Sequence, residues 1–242
     1  MDNVLRDKFF SRVTEDFKVM SSLVMKQVGI VKTLFSSIDE VDIDAVHQEL
    51  YTNERILDSL DVKLRREVIN AIVLYSPRAT DLRQIMSNYD MTGYLERMGD
   101  LVLNISRFLM TMDVKGEICR RYAPDLTKLL TTSASMIEQS IQAFNNENNT
   151  LARAIIDSDD VVDNLYRSIG VRTRSDYGGK HLSESELNDI LGINGIAYNV
   201  ERIADNATNI AEAAIYFAEG EDVKHARLKK EEQDAINEQG GE

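Results

Sequence analysis

Apolar residues recur along this chain every three or four positions, in six long runs separated by short polar breaks. The first run holds Phe10, Val13, Phe17, Met20, Val24, Val28, Val31 and Phe35, which predicts an amphipathic helix over about 4–37. The polar stretch Ser36 to Asp42 breaks it. A second helix is expected over about 42–74, with Val46, Leu50, Leu57, Leu60, Leu64 and Val68 inward. Ser76-Pro77 ends it, because the residue before proline is pushed out of the helical region. Thr80-Asp81 is an acceptable cap for a third helix carrying Leu82, Ile85, Met86 and Tyr89. Its continuation, Leu95, Met98, Val102, Ile105, Leu109 and Met112, is the seam of an antiparallel bundle.

Around Gly116 the pattern restarts. A fourth helix over about 117–145 presents Leu126, Leu129, Leu130, Ile137, Ile141 and Phe144. A fifth, to about Ile169, presents Leu151, Ile155, Val162 and Leu165. Gly170 through Leu182 reads as an irregular loop. Ser183 with Glu186 three residues on forms a capping box for a sixth helix. That helix runs to about Glu219 with Leu187, Ile190, Leu191, Val200, Ile203, Ala207, Ile210 and Phe217 inward, and Gly220 ends it.

The second set of runs repeats the first. Glu96, Arg97, Asp100, Asn104 and Ile105 reappear as Glu201, Arg202, Asp205, Asn209 and Ile210, and Val46, Leu50, Leu57, Leu60 and Leu64 fall on Leu151, Ile155, Val162, Leu165 and Ile169. Every one of these pairs is separated by 105 positions without a gap; the first and fourth helices match more loosely at 106. Self-similarity at a fixed offset means duplication. The expected fold is all-α, a tandem duplication of antiparallel three-helix bundles, over 1–115 and 116–225, with a charged tail at 226–242 that allows one more short helix. No flexible linker separates the halves, so they are expected to pack together.

Composition narrows the function. A net charge of −13 over 242 residues lacks the clustered basic face of a nucleic-acid binder. No apolar run reaches the length of a membrane span, the start lacks signal-peptide features, and the lone Cys119 permits no internal disulfide. Cytoplasm is the expected compartment. Six methionines (Met20, Met25, Met86, Met98, Met110, Met112) are expected to fill core space, and Cys119 to be structural. No phosphate-cradling loop or nucleophile–base pattern is present, so no enzymatic activity is expected.

The candidate chemistry is carboxylate. Glu96, Asp100 and Asn104 are four apart and share one helix face, as do Glu201, Asp205 and Asn209, with Glu212 further on. The preceding helices add Glu54 and Asp58, matched at 105 by Asp159 and Asp163. Relative to the seam this face points outward, so the acids are not needed for packing. Like charges four apart oppose helix formation, which suggests a counter-ion. Oxygen donors without imidazole or thiolate suit hard cations, and His47, His181 and His225 share no ligand spacing. A solvated acidic face, paired to Arg97 and Arg202, is the competing reading.

Leu95-Glu96-Arg97-Met98-Gly99-Asp100 and Val200-Glu201-Arg202-Ile203-Ala204-Asp205 resemble the paired signatures of the PhoU family. Pro77 to Arg83, Asn209 to Glu212 and Glu219 to His225 resemble it too, although Ala204 replaces the usual glycine and Glu54 stands where Asp is common. The resemblance implies two symmetric three-helix bundles whose surfaces bind multinuclear metal, here Fe, Mn, Mg or Ca. It also implies a non-enzymatic regulator of phosphate uptake and phosphate-starvation signalling that works with a phosphate ABC transporter ATPase and a sensor histidine kinase. By position, the metal face would be Glu54, Asp58, Glu96, Asp100, Asp159, Asp163, Glu201 and Asp205. A homodimer is the expected assembly, with neither nucleic acid nor membrane insertion; a metal-dependent or metal-storing bundle is the alternative.

Overall fold

The computed structural model describes residues 3–38, 40–77 and 79–223, with side chains from residue 8 onward except Phe10. Six helices account for it, and the described residues contain no strand: α1 (Asn3–Ser36), α2 (Ile43–Tyr75), α3 (Thr80–Leu109), α4 (Glu117–Asn145), α5 (Asn149–Tyr177) and α6 (Glu184–Glu219). The tail at 226–242, His225 and the stripe position Phe10 lie outside the description. No described helix is long and apolar enough to cross a membrane.

The duplication is visible in burial. Leu50, Leu57, Leu64 and Val68 are buried on α2, and so are Ile155, Val162, Ile169 and Thr173 on α5, each 105 residues later. In α3 and α6 the buried pairs are Leu95/Val200, Met98/Ile203, Val102/Ala207 and Ile105/Ile210. Val46, Leu60, Leu151 and Leu165 flank these as half-buried residues packed on the core.

The halves share one core. α3 packs against α1, α2 and α6, while α6 packs against α3, α4 and α5, and α1 also meets α4. Contact between α3 and α6 is close because α6 offers small residues. A methyl group at Gly195 would strike the ring of Phe108, one at Gly192 would strike Met112, and Ala197, Ala204, Ala207, Ala211 and Ala214 are all buried. The link between α3 and α4 is fixed as well. The backbone N–H of Asp113 donates to the buried Asp189 carboxylate at 2.8 Å, and Met112 and Val114 are buried beside it.

Several expectations change. Thr80 and Asp81 do not cap α3; they lie in its first turn and Ala79 takes the cap position with φ of 47° and no side-chain bond. The helix then ends at Leu109, so Met112 fills the core from the link rather than from the seam. Met86 and Met110 are exposed, as are Leu187 and Leu191. At the start of α6 the inward position goes to Asp189, because the link's N–H requires an acceptor there.

The largest change is in α5, which continues through Gly170 to Tyr177 and leaves 178–182 as the loop. Contacts with α4 and α6 override the glycine's weak helix preference. Tyr122 donates to Asp176 at 2.7 Å, Arg121 pairs with Asp176 at 2.9 Å, Arg172 pairs with Asp125 and stacks 4.8 Å over Tyr122, and Asn194 meets Thr173. Ser183 and Glu186 do form the full capping box, Asp42 caps α2, and Gly220 closes α6 at φ of 73°.

A methyl group at Gly170 would make only ordinary contacts, 3.7 Å from Asn194 and 3.8 Å from Arg174. Gly170→Ala should therefore stabilise the protein by roughly 0.5–1 kcal/mol in urea unfolding. Destabilisation would mean that residue 170 is not in a regular helix.

Candidate functional site: two acidic grooves

α2 lies beside α3, and α5 beside α6, so each antiparallel pair forms a groove into which acids from both helices project. Spacing by four places Glu54 and Asp58 on one wall of the first groove and Glu96 and Asp100 on the other. These four sit within electrostatic reach of one another. In the second groove Asp159 and Asp163 face Glu201 and Asp205 in the same way.

The acids are not turned fully to solvent, which corrects the outward placement. Glu54 is buried, with 9% of its surface exposed, and Glu96, Asp100, Asp159, Asp163, Glu201 and Asp205 are half-buried; Asp58 alone is exposed. Positions beside a packing seam are shaded by the neighbouring helix, and the seam alone does not reveal it. Asn104, Asn209 and Glu212 extend the grooves as half-buried residues, and Asn104 accepts from Arg107.

Burial and crowding act on the carboxyls together. Burial first, then the charges of Asp58 and Asp100, a hydrogen bond with Asp58 and the charge of Glu96 push Glu54 up to about 7. Glu201 is likewise pushed to about 7, by burial and then by Asp205 and Asp163, against a smaller opposing effect of Arg202. Glu96 and Asp205 are shifted upward for the same leading reason, burial.

The expected arginine pairs form but are loose: Arg97 to Asp100 at 3.8 Å and Arg202 to Asp205 at 3.3 Å. Arg167 pairs with Asp163 at 2.8 Å, and Thr208 donates to Asp159 at 3.2 Å. The inner glutamate of the second groove is left unmet: Glu201 Oε2 is buried and has no hydrogen-bond partner. Among the described residues no three carboxylate, imidazole or thiolate groups converge closely enough to hold a metal ion. Each groove is thus an open acidic trough rather than a preformed cage. The donors are all oxygen, and in the second groove the Glu201 acceptor is unsatisfied, a chemistry that fits a hard cation.

Sequence reasoning missed two neighbours. Asp61 and Arg65 continue the α2 series one turn further; Arg65 Nε bonds both Asp61 oxygens at 2.7 Å, and Nη1 donates to Tyr89 at 2.8 Å. Arg65 occupies the space a side chain at Gly93 would need. Both charges reach Glu96, Asp61 raising its pKa and Arg65 lowering it. The 54, 58, 61, 65 spacing was the available signal. Cys119 is buried and pushed up to about 11 by burial, the state of an inert structural thiol.

The family model for the PhoU domain matches residues 18–109 and again 126–214. A phosphate-specific transport system accessory protein PhoU homolog of Aquifex aeolicus is 33% identical over 76% of this chain and 80% of its own length. The homolog of Rhizobium meliloti is 25% identical over 90% of this chain and 92% of its own. The crystal structure of PhoU from Pseudomonas aeruginosa superposes with a TM-score of 0.75 at 24% identity, covering 89% of this chain and 99% of that one.

The linkage sign follows from the raised pKa values. The unfolded chain releases the protons of Glu54 and Glu201 near 4.5, while the folded groove retains them to about 7. Between these limits the native state binds more protons, so stability falls as pH rises. The thermal midpoint of metal-free protein should decline from about pH 5 to about pH 7, and Glu54→Gln with Glu201→Gln should flatten that decline. An unchanged slope in the double variant would show that these two glutamates do not titrate in this window.

Proposed function

The chain belongs to the PhoU family, and from that membership we propose that it is a regulatory accessory protein of phosphate transport. It acts as a non-enzymatic adaptor, in the cytoplasm, between a phosphate ABC transporter ATPase and a sensor histidine kinase, with its state set by cations in the two grooves. One observation carries the metal part of this reading: two in-register quartets of carboxylates, crowded enough that burial and neighbouring charges raise the pKa of Glu54 and Glu201 to about 7. Four crowded acids at the surface of a fold that does not need their charge for packing favour a counter-ion.

Glu54, Asp58, Glu96 and Asp100 would hold the cation of the first groove, and Asp159, Asp163, Glu201 and Asp205 that of the second. Bound, an Fe, Mn, Mg or Ca ion would supply positive charge that offsets the repulsion across each groove. Each site joins two helices, α2 with α3 or α5 with α6, so loading would tighten them. A partner protein that touches both helices would read that change.

Elemental analysis of the purified protein should find metal that Glu96→Gln with Glu201→Gln loses, and added Mn or Mg should raise the thermal midpoint of wild type but not of the variant. Equal metal content in both proteins removes these residues as ligands. Deletion of the gene should derepress phosphate-starvation genes; unaltered expression and uptake would end the adaptor reading, and metal retention with unaltered regulation would leave metal storage in its place.

A further inference from the structure

The last two turns of α2 are apolar on every side. In Val68-Ile69-Asn70-Ala71-Ile72-Val73-Leu74-Tyr75 all but Asn70 are apolar or aromatic, and a helix that is apolar all round is one with something packed on each face. Val68 and Ala71 are buried in the core, but Ile69, Ile72, Val73 and Leu74 are exposed, the last two at 73% and 70%. The adjoining stripe of α3 adds exposed Leu82 and Met86. These six side chains leave bare roughly 500 Å² of apolar surface, about the apolar share of the roughly 800 Å² that each partner buries in a standard protein interface.

The repeat does not account for this face. At the matched positions of the second half, Leu187 and Leu191 stand for Leu82 and Met86, but Arg174, Gly178 and Gly179 replace Ile69, Val73 and Leu74. The α2 side of the patch therefore occurs once per chain.

Its charged rim is balanced. Between residues 66 and 90 the exposed described side chains include one cation and one anion, Arg66 and Asp90. Arg65 donates to Tyr89 at 2.8 Å, so the residues that follow them, Arg66 and Asp90, stand at the same level of the two antiparallel helices. Arg66 has no ion-pair partner among the described residues. A strongly acidic or basic partner gains little from such a rim, and an anionic bilayer meets repulsion along with attraction. A second copy gains twice. With a two-fold axis along the furrow between α2 and α3, α2 of one copy lies on α3 of the other at the same level. Ile69 then faces Met86, Val73 faces Leu82 and Arg66 faces Asp90, and each pairing is made twice. Along the helices the acids of the first groove begin about 12 Å from Arg66, at Asp58, and about 9 Å from Asp90, at Glu96, beyond the Debye length of about 8 Å at physiological salt.

We propose that this α2–α3 face joins two copies of the chain in an isologous dimer, the two helix pairs completing an antiparallel four-helix cluster. A self-complementary face closes the assembly at two copies. The inference uses no metal ion and stands or falls apart from the reading of the acidic grooves.

Sedimentation equilibrium of the full chain should show a monomer–dimer equilibrium, the dimer at twice 27.4 kDa. Val73→Glu with Leu82→Glu should abolish it. Arg66→Glu alone and Asp90→Arg alone should each weaken it on the order of tenfold, because each sets like charges face to face twice. The two together exchange the charges and should restore the dimer, which neither another face nor another register would allow. Circular dichroism checks that each variant folds; should the apolar pair unfold, Val73→Ser with Leu82→Ser replaces it. A chain that stays monomeric at its highest soluble concentration, the result if the tail at 226–242 or a bilayer covers this face, overturns the proposal. So does a dimer untouched by the apolar variants, or a charge exchange that fails to restore association.

Discussion

The close approach of α3 and α6 is the constraint on which the rest of the molecule depends. Each of these helices is surrounded by three others, so little of its circumference is left for solvent. Gly192, Gly195 and the buried alanines of α6 let Phe108 of α3 and Met112 of the link sink in; a larger residue at Gly195 would collide with the Phe108 ring and one at Gly192 with the Met112 side chain. With their seams committed to one another, α3 and α6 can show their acidic residues only along the remaining strips, against α2 and α5. The half-burial of Glu96 and Glu201, and hence their protonation behaviour, follows from that crowding.

Much of this was legible in the chain. The 105-residue offset, the six amphipathic runs and the capping box at Ser183 all depend on local pattern, and local pattern is what a sequence displays. The helical course from Gly170 to Tyr177 was hidden, because Gly170 interrupts the apolar period and the contacts that hold it, Tyr122 to Asp176 and Arg172 to Asp125, span about 50 residues. The exposure of Leu187 and Leu191 was hidden for a related reason: what turns them out is the demand of a distant N–H at Asp113 for the carboxylate of Asp189.

For the acidic site, periodicity identified which residues share a face but not how deep that face lies. Glu54 and Glu201 follow from the motif; their burial follows from the width of the neighbouring helices. The duplication also conceals difference. Arg65, Asp61 and Tyr89 surround the first groove, while Gly170, Tyr166 and Asn194 stand at the matched positions of the second. A shared offset preserves the walls of the two grooves and leaves their ends free to diverge.

The pinned link between α3 and α4 has a mechanical consequence. Swinging one half away from the other would strip the Asp113 N–H from Asp189 and uncover Met112 and Val114. The connection is thus a weld and not a hinge. A push on α1 is transmitted along a stiff beam to α4 and onward to α6, so strain applied at one end of the molecule must be taken up by small sliding motions between helices.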